Sequence, residues 1–190
     1  MQEWGIFMLV LQEISGYILI GLVMMAVLAI IYLPVFLVLR KKVSFARQVV
    51  YFLLGVCIIV ILSATVLIGF KIVPARNRFL NLVPFKVFTE EWEMGLLKQF
   101  TQTLANVVMF VPLGFIFPLA FAGCRKLYKT AIYMAAFSFL IEFVQYFTGR
   151  SSDIDDIMLN TLGGVLGYLL FALLSGLFGN RKFWKKLAGL

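Results

Sequence analysis

Three of the nine acidic residues of this chain fall within four positions, in the stretch Gly149–Asn160, GRSSDIDDIMLN. Asp153, Asp156, Asn160, Gly163, Gly164 and Gly167 then follow one another at three- and four-residue spacing, which places them on one face of a helix. The upper part of that face is acidic and polar. The lower part is glycine, which lets two membrane helices approach backbone to backbone. The polar groups are therefore expected to point into a bundle. A second polar pair, Glu142 and Gln145, stands at i and i+3 in the preceding apolar run. Such carboxylates suit several kinds of chemistry. Glu142 and Asp156 could act as a general acid and base, and Asp153 and Asp156 could hold Mg²⁺ or Ca²⁺ with phosphate oxygens completing the shell. The acids also suit the ammonium or hydroxyl groups of a ligand, while Arg76 and Arg150 suit its phosphate or carboxylate.

Plainer readings stand beside these. Ser151 or Ser152 followed by acidic residues makes a good helix start, since the acids cap free N–H groups and complement the dipole. That accounts for acids at the interface but not for Asn160, more than a turn deeper on the same face. Glu142 could instead fix the bundle through an ion pair with Arg150 or Arg76. Asn106, at the head of another apolar run, fits the same polar layer or a simple helix cap.

The elements that must position these residues are membrane spans. The chain has 190 residues, of which 63% are hydrophobic and 14% charged, and its mean hydropathy is +1.01. Soluble domains run about 45–50% apolar, so a chain of this size has too little interior to hide this much apolar surface from water. About 20 apolar residues cross a bilayer, and five runs qualify, at about 17–39, 49–70, 104–123, 130–147 and 156–178. The expected fold is all-α, a single polytopic bundle of five transmembrane helices occupying residues 1–190. Pro34, Pro112 and Pro118 fall inside spans, where membrane helices tolerate them.

Charge predicts the orientation. Eleven of the 17 basic residues, and no acidic one, lie in the segments after the first, third and fifth spans. By the positive-inside rule these segments are cytoplasmic, with the N-terminus outside and the C-terminus inside. The acidic stretch then faces the extracytoplasmic space. Residues 71–103 are too polar to span. They are expected to lie there as an interfacial segment, with an amphipathic helix starting at Thr89 and anchored by Trp92 and Phe100. The net charge of +8 is read as topology and anionic-lipid contact, since no soluble basic patch alternates with aromatics as nucleic-acid binding requires. No histidine is present, which excludes Ser-His-Asp hydrolases and His-ligated zinc. Cys57 and Cys124 sit at depths that disfavour a mutual disulfide. The N-terminus lacks the basic residues of a cleavable signal peptide, so the first span is expected to remain.

One set of motifs carries a resemblance. Asn81-Leu82-Val83-Pro84-Phe85, then Asn106 through Pro112 to Gly114, then Glu142-Phe-Val-Gln145, then Arg150, Asp153, Asp155-Asp156 and Asn160 resemble the VanZ-like family, over residues of about 76–168. The first two spans show no signature of it. The resemblance implies a bacterial cell-membrane protein associated with resistance to glycopeptide antibiotics, chiefly teicoplanin. It also implies motif positions at Arg76, Asn81, Asn106, Glu142, Gln145, Arg150, Asp153, Asp156 and Asn160, without an agreed catalytic assignment.

Three functions stay open at this point. The first is a pocket, lined by those nine residues, that binds a lipidated antibiotic or a lipid-linked cell-wall precursor among membrane lipids. The second is an enzyme acting on a phospholipid or polyprenyl phosphate, metal-assisted or not. The third, a transporter, is disfavoured because no inverted repeat is visible, although a homo-oligomer could supply a path.

Overall fold

The computed structural model describes residues 22–67, 71–74, 78–86 and 96–189. Five helices are long and apolar enough to cross a membrane. They are α1 (Leu22–Leu39), α2 (Phe45–Leu62, running on into a π turn at Ser63–Leu67), α3 (Leu96–Ala120), α4 (Leu127–Thr148) and α5 (Ile154–Phe178). A short helix, α6 (Lys182–Ala188), follows. The expected bundle of five spans is therefore present. Tyr17–Gly21 of the first expected span lie outside the described residues, as do Arg76, Thr89 and Trp92.

Three features depart from the expectation. Residues 96–103, assigned to an interfacial segment, are the first turns of α3. Neither Gly nor Pro interrupts the sequence between Leu96 and Leu104, so the helix begins ahead of its apolar span, which starts at Gln102. The fold also contains two short strands, β1 (Phe79–Asn81) and β2 (Ser151–Asp153), paired in parallel with Asn81 opposite Asp153. Pro84 biases the chain before it toward extended geometry, and pairing with β2 satisfies backbone groups that would otherwise be stranded at the bundle end. The third departure is α6, which the sequence presented only as a basic tail.

Glycine sets the centre of the bundle. A Cβ at Gly163 or Gly167 of α5 would strike the carbonyl oxygen of Val107 or Val111 on α3, and one at Gly114 would strike Gly164. Helices α3 and α5 therefore meet at backbone distance, as the small-residue stripe predicts. Phe110 is fully buried in this seam. Helix α4 lies against the other side of α5, with the Met134 side chain over Gly164 and Ser138 beside Asn160. Helix α1 leans on α2 through an i, i+4 stripe: Met24 meets Ser63, Leu28 meets Gly55, Tyr32 meets Gln48 and Phe52, and Phe36 meets Phe45.

The bundle end opposite the strands is closed by arginine. The Arg47 guanidinium donates to the carbonyls of Leu119 (2.5 Å), Ala120 (2.8 Å) and Leu187 (3.2 Å), and to the Tyr51 hydroxyl (2.7 Å). Arg125 donates to the Pro118 and Ala188 carbonyls. These are carbonyls left over at the C-termini of α3 and α6, and cations there also answer the helix dipoles. Burial, aided by the nearby Arg47 charge, lowers the Arg125 pKa from its ordinary value. Trp184 of α6 is buried and stacks on Phe171 of α5. Cys57 and Cys124 are free thiols.

Candidate functional site

At the strand end, polar side chains from three helices, α3, α4 and α5, converge instead of closing. The Gly149 C-cap of α4, with φ of 77°, reverses the chain into β2. Asp153 then ends β2 and caps α5, its carboxylate accepting from the Asp155 N–H at 2.9 Å. Asn81 of β1 donates its Nδ2 to both Asp153 oxygens at 3.0 Å, and its Oδ1 accepts from the Val83 N–H. Asp155 is buried and accepts the Phe85 N–H at 2.6 Å. Phe85 has φ of 64°, a left-handed conformation that L-residues with a Cβ adopt at a cost. The charged acceptor holds this turn in place.

The π turn that ends α2 contributes acceptors. Its i→i+5 geometry breaks the normal ladder. The Thr65 carbonyl takes Gln145 Nε2 at 2.9 Å and the Ala64 carbonyl takes Arg150 at 3.3 Å. Gln145 is 5% exposed, and its Oε1 has no hydrogen-bond partner. From α3, Asn106 Nδ2 donates to Asp156 Oδ1 at 2.5 Å. Asn106 lies well inside α3, so the alternative reading of it as a helix cap does not hold.

These groups enclose a polar chamber of about 400 Å³, lined among others by Asn106, Gln145, Arg150, Asp153, Asp155 and Asp156. Arg150 lies close enough to Asp156 to act on its charge, as do Asp153 and Asp155. Against this one arginine the wall presents three carboxylates.

A second cavity, about 520 Å³ and almost wholly apolar, lies on the other side of β2. Leu80, Leu82, Phe139, Phe143, Tyr146 and Phe147 form its walls, and its polar members are Glu142, Ser152 and Asp153. Glu142 is 3% exposed, and its Oε2 accepts the Asp153 N–H at 2.8 Å. Beyond one end, the Arg78 guanidinium stacks over Phe147 at 4.7 Å and Tyr146 at 5.6 Å.

The nine residues marked by the sequence thus take different places. Asn106, Gln145, Arg150, Asp153 and Asp156 line the chamber. Glu142 lines the apolar groove, bound to the β2 backbone rather than to Arg150. Asn81 braces β1 to the start of α5. Asn160 is buried below, its Nδ2 donating to the Ser138 hydroxyl at 2.9 Å, where it joins α5 to α4. Arg76 lies outside the described residues. For a cation, both Asp153 oxygens are already engaged by Asn81, and among the described residues no three His, Cys, Asp or Glu side chains form a group that could hold a metal ion. Asp155, Thr65, Ser138 and Arg78 were not marked as site residues. Asp155 is one position off the 153–156–160 face, and the other three gain importance only through residues distant in sequence.

Fold and site together define a multi-pass membrane helix bundle with a polar chamber at one end. The VanZ/LLP1 family matches residues 45–175, and the chain belongs to that family. The match takes in α2 and so starts earlier than the resemblance over about 76–168 suggested. Protein VanZ of Enterococcus faecium is 31% identical over 99 residues, covering 52% of this chain and 55% of that protein. The chain thus spans about half the length of the curated relative it matches. No solved structure matches.

Proposed function

We propose that the chamber is an extracytoplasmic binding site for the polar head of a lipidated glycopeptide such as teicoplanin, or of a lipid-linked cell-wall precursor, and that this binding underlies glycopeptide resistance. The observation that carries the reading is Gln145. A buried amide oxygen without a partner costs about 1–3 kcal/mol, and this one belongs to a residue lining a chamber large enough for part of a ligand. A hydrogen-bond donor on the ligand removes that cost. Three carboxylates facing one guanidinium favour a head rich in ammonium and hydroxyl groups. The placement outside a bacterial cell membrane rests on the segregation of basic residues toward the α6 end, and family membership supports the link to resistance.

The test is teicoplanin susceptibility of a sensitive Gram-positive host expressing wild type, Glu142→Gln or Asp156→Asn at matched membrane levels. Protection by wild type, lost in Asp156→Asn, supports the chamber. Equal protection by both variants removes any role for the carboxylate charges, and no protection by wild type removes the resistance reading.

One observation favours a second reading, an enzyme on a lipid-linked substrate. Asp153 lines both the chamber and the apolar groove, and Glu142, which accepts its N–H, lies on the groove side, where a bond between a head and a hydrocarbon chain would lie. Turnover of a polyprenyl phosphate or phospholipid by the purified protein, lost in Glu142→Gln, is the expected result on this reading. Absence of turnover with and without Mg²⁺ ends it.

A further inference from the structure

The apolar groove is the feature that the chamber alone does not explain. Its walls come from three elements: Leu80 and Leu82 in and after β1, Phe139 through Phe147 on α4, and Ile154 and Ile157 on α5. Its few polar groups are not scattered. Glu142, Ser152 and Asp153 gather at the β2 side, and Asp153 also lines the chamber, so a single strand separates the two cavities. Leu80, Leu82, Phe139 and Phe143 are all more than half exposed, so the groove has no protein cover among the described residues.

Bulk hydrocarbon is a poor cover for it. The inner edge of the groove is polar, formed by Asp153, Ser152 and the Glu142 carboxylate that accepts the Asp153 N–H, and a plain hydrocarbon tail offers that edge no hydrogen-bonding group. A molecule whose polar linkage crosses Glu142, Ser152 and Asp153, and whose chain then runs along the phenylalanines, meets both surfaces correctly. We infer that the groove seats the single hydrocarbon chain of the same ligand whose head fills the chamber, with its head–chain junction at Glu142. The inference rests on the chamber being the head site and adds the class of ligand: a one-chain amphiphile, held at its junction.

Two photoreactive teicoplanin derivatives test this on the full chain in lipid nanodiscs, one with a diazirine on its acyl chain and one with it on the glycopeptide core. The expected result is core labelling at peptides containing Asn106 or Asp156, and chain labelling at Phe139, Phe143 or Leu80. Excess unmodified teicoplanin should chase both. Leu80→Trp, which narrows the groove, should abolish the chain label there while the core label persists. Core labelling of the chamber with chain label spread over all lipid-facing helices overturns the groove assignment and leaves the head site standing. A diazirine phospholipid that labels the groove and is not chased by teicoplanin gives it to bulk lipid and overturns the inference as well. Absence of core labelling in the chamber overturns the head site and the inference together.

Discussion

The two ends of this bundle answer one physical problem in opposite ways. Each gathers charged or polar groups around helix termini at the edge of a low-dielectric interior. At the α6 end, Arg47 and Arg125 bind the free carbonyls of α3 and α6, and Trp184 fills the space beneath. At the strand end, Asp156, Arg150 and Gln145 line a chamber of about 400 Å³, and the amide oxygen of Gln145 has no hydrogen-bond partner among the described residues. The Gln48 amide oxygen at the α6 end also lacks one, but it lies beside a small apolar pocket and not a chamber lined by carboxylates. It is the polar chamber that separates the two ends, so the α6 end reads as structure and the strand end as the candidate site. Substitutions that separate stability from activity decide whether that division is real.

The largest effect is expected midway between the ends. Gly167→Leu would push a branched side chain into the Val111 carbonyl and the backbone of Gly114 and Phe115. With no flexible neighbour to yield, the cost should exceed about 4 kcal/mol. The expected readout is loss of the monodisperse peak on size exclusion in detergent. A normal peak would mean that α3 and α5 are not in backbone contact, and both ends would need reinterpretation.

Next comes the α6 end. Arg47→Ala removes four hydrogen bonds and leaves three carbonyls without their charged donor, a loss of about 3 kcal/mol in thermal unfolding. Trypsin cleavage at Lys182–Lys186 should accelerate as α6 detaches. Arg47→Lys should recover less than half of the loss, since an ammonium lacks the planar fork. Per folded molecule, activity should not change. A fall in activity at unchanged stability would move this end into the functional category.

A smaller effect is expected at Asp155→Ala, which releases the Phe85 N–H and costs about 1–2 kcal/mol. Hydrogen exchange across residues 79–86 should rise, and Asp155→Asn, which keeps an acceptor, should restore most of the protection. In the Asp155→Ala background, Phe85→Gly should recover about 1 kcal/mol by removing the left-handed strain. Equal exchange in wild type and Asp155→Ala would show that β1 pairing alone holds the segment.

The sequence made these regions legible to different degrees, for reasons that follow from range. The spans were visible because a bilayer demands long apolar runs, and the α3–α5 seam was visible because Gly163 and Gly167 repeat at helical spacing. Pairing of β1 with β2 was not. Each strand has three residues, and Asn81 and Asp153 are 72 positions apart, so no local period reports their contact. The same gap hid the division of the acids. Glu142 and Asp156 were read as one polar layer because both lie near the same helix ends; they stay close enough for their charges to interact, while Glu142 lines the groove and Asp156 the chamber. Asp155 was open to the cap reading of the interfacial acids and was not marked as a site residue, and its bond to the Phe85 N–H joins it to a residue 70 positions away. The docking of α6 was hidden in the same way, since its carbonyls meet an arginine 140 positions upstream.

The smallest loss of stability belongs to Asp156→Asn, and it bears most directly on the comparison. The amide keeps the size of the side chain and an oxygen for Asn106 Nδ2, now held at 2.5 Å. It also ends repulsion from Asp153 and Asp155, against the loss of attraction to Arg150. Removing the charge also ends the cost of burying it, so thermal stability should not fall below that of wild type. Teicoplanin protection should nevertheless disappear, because the chamber loses the charge that a cationic or hydroxyl-rich head would meet. Such a result, beside an Arg47→Ala protein that is unstable yet active per molecule, would establish that the two ends do different work. If Asp156→Asn instead destabilised the bundle as strongly as Arg47→Ala, the aspartate would be a brace like the arginine, and the site would have to be sought in the groove over Glu142.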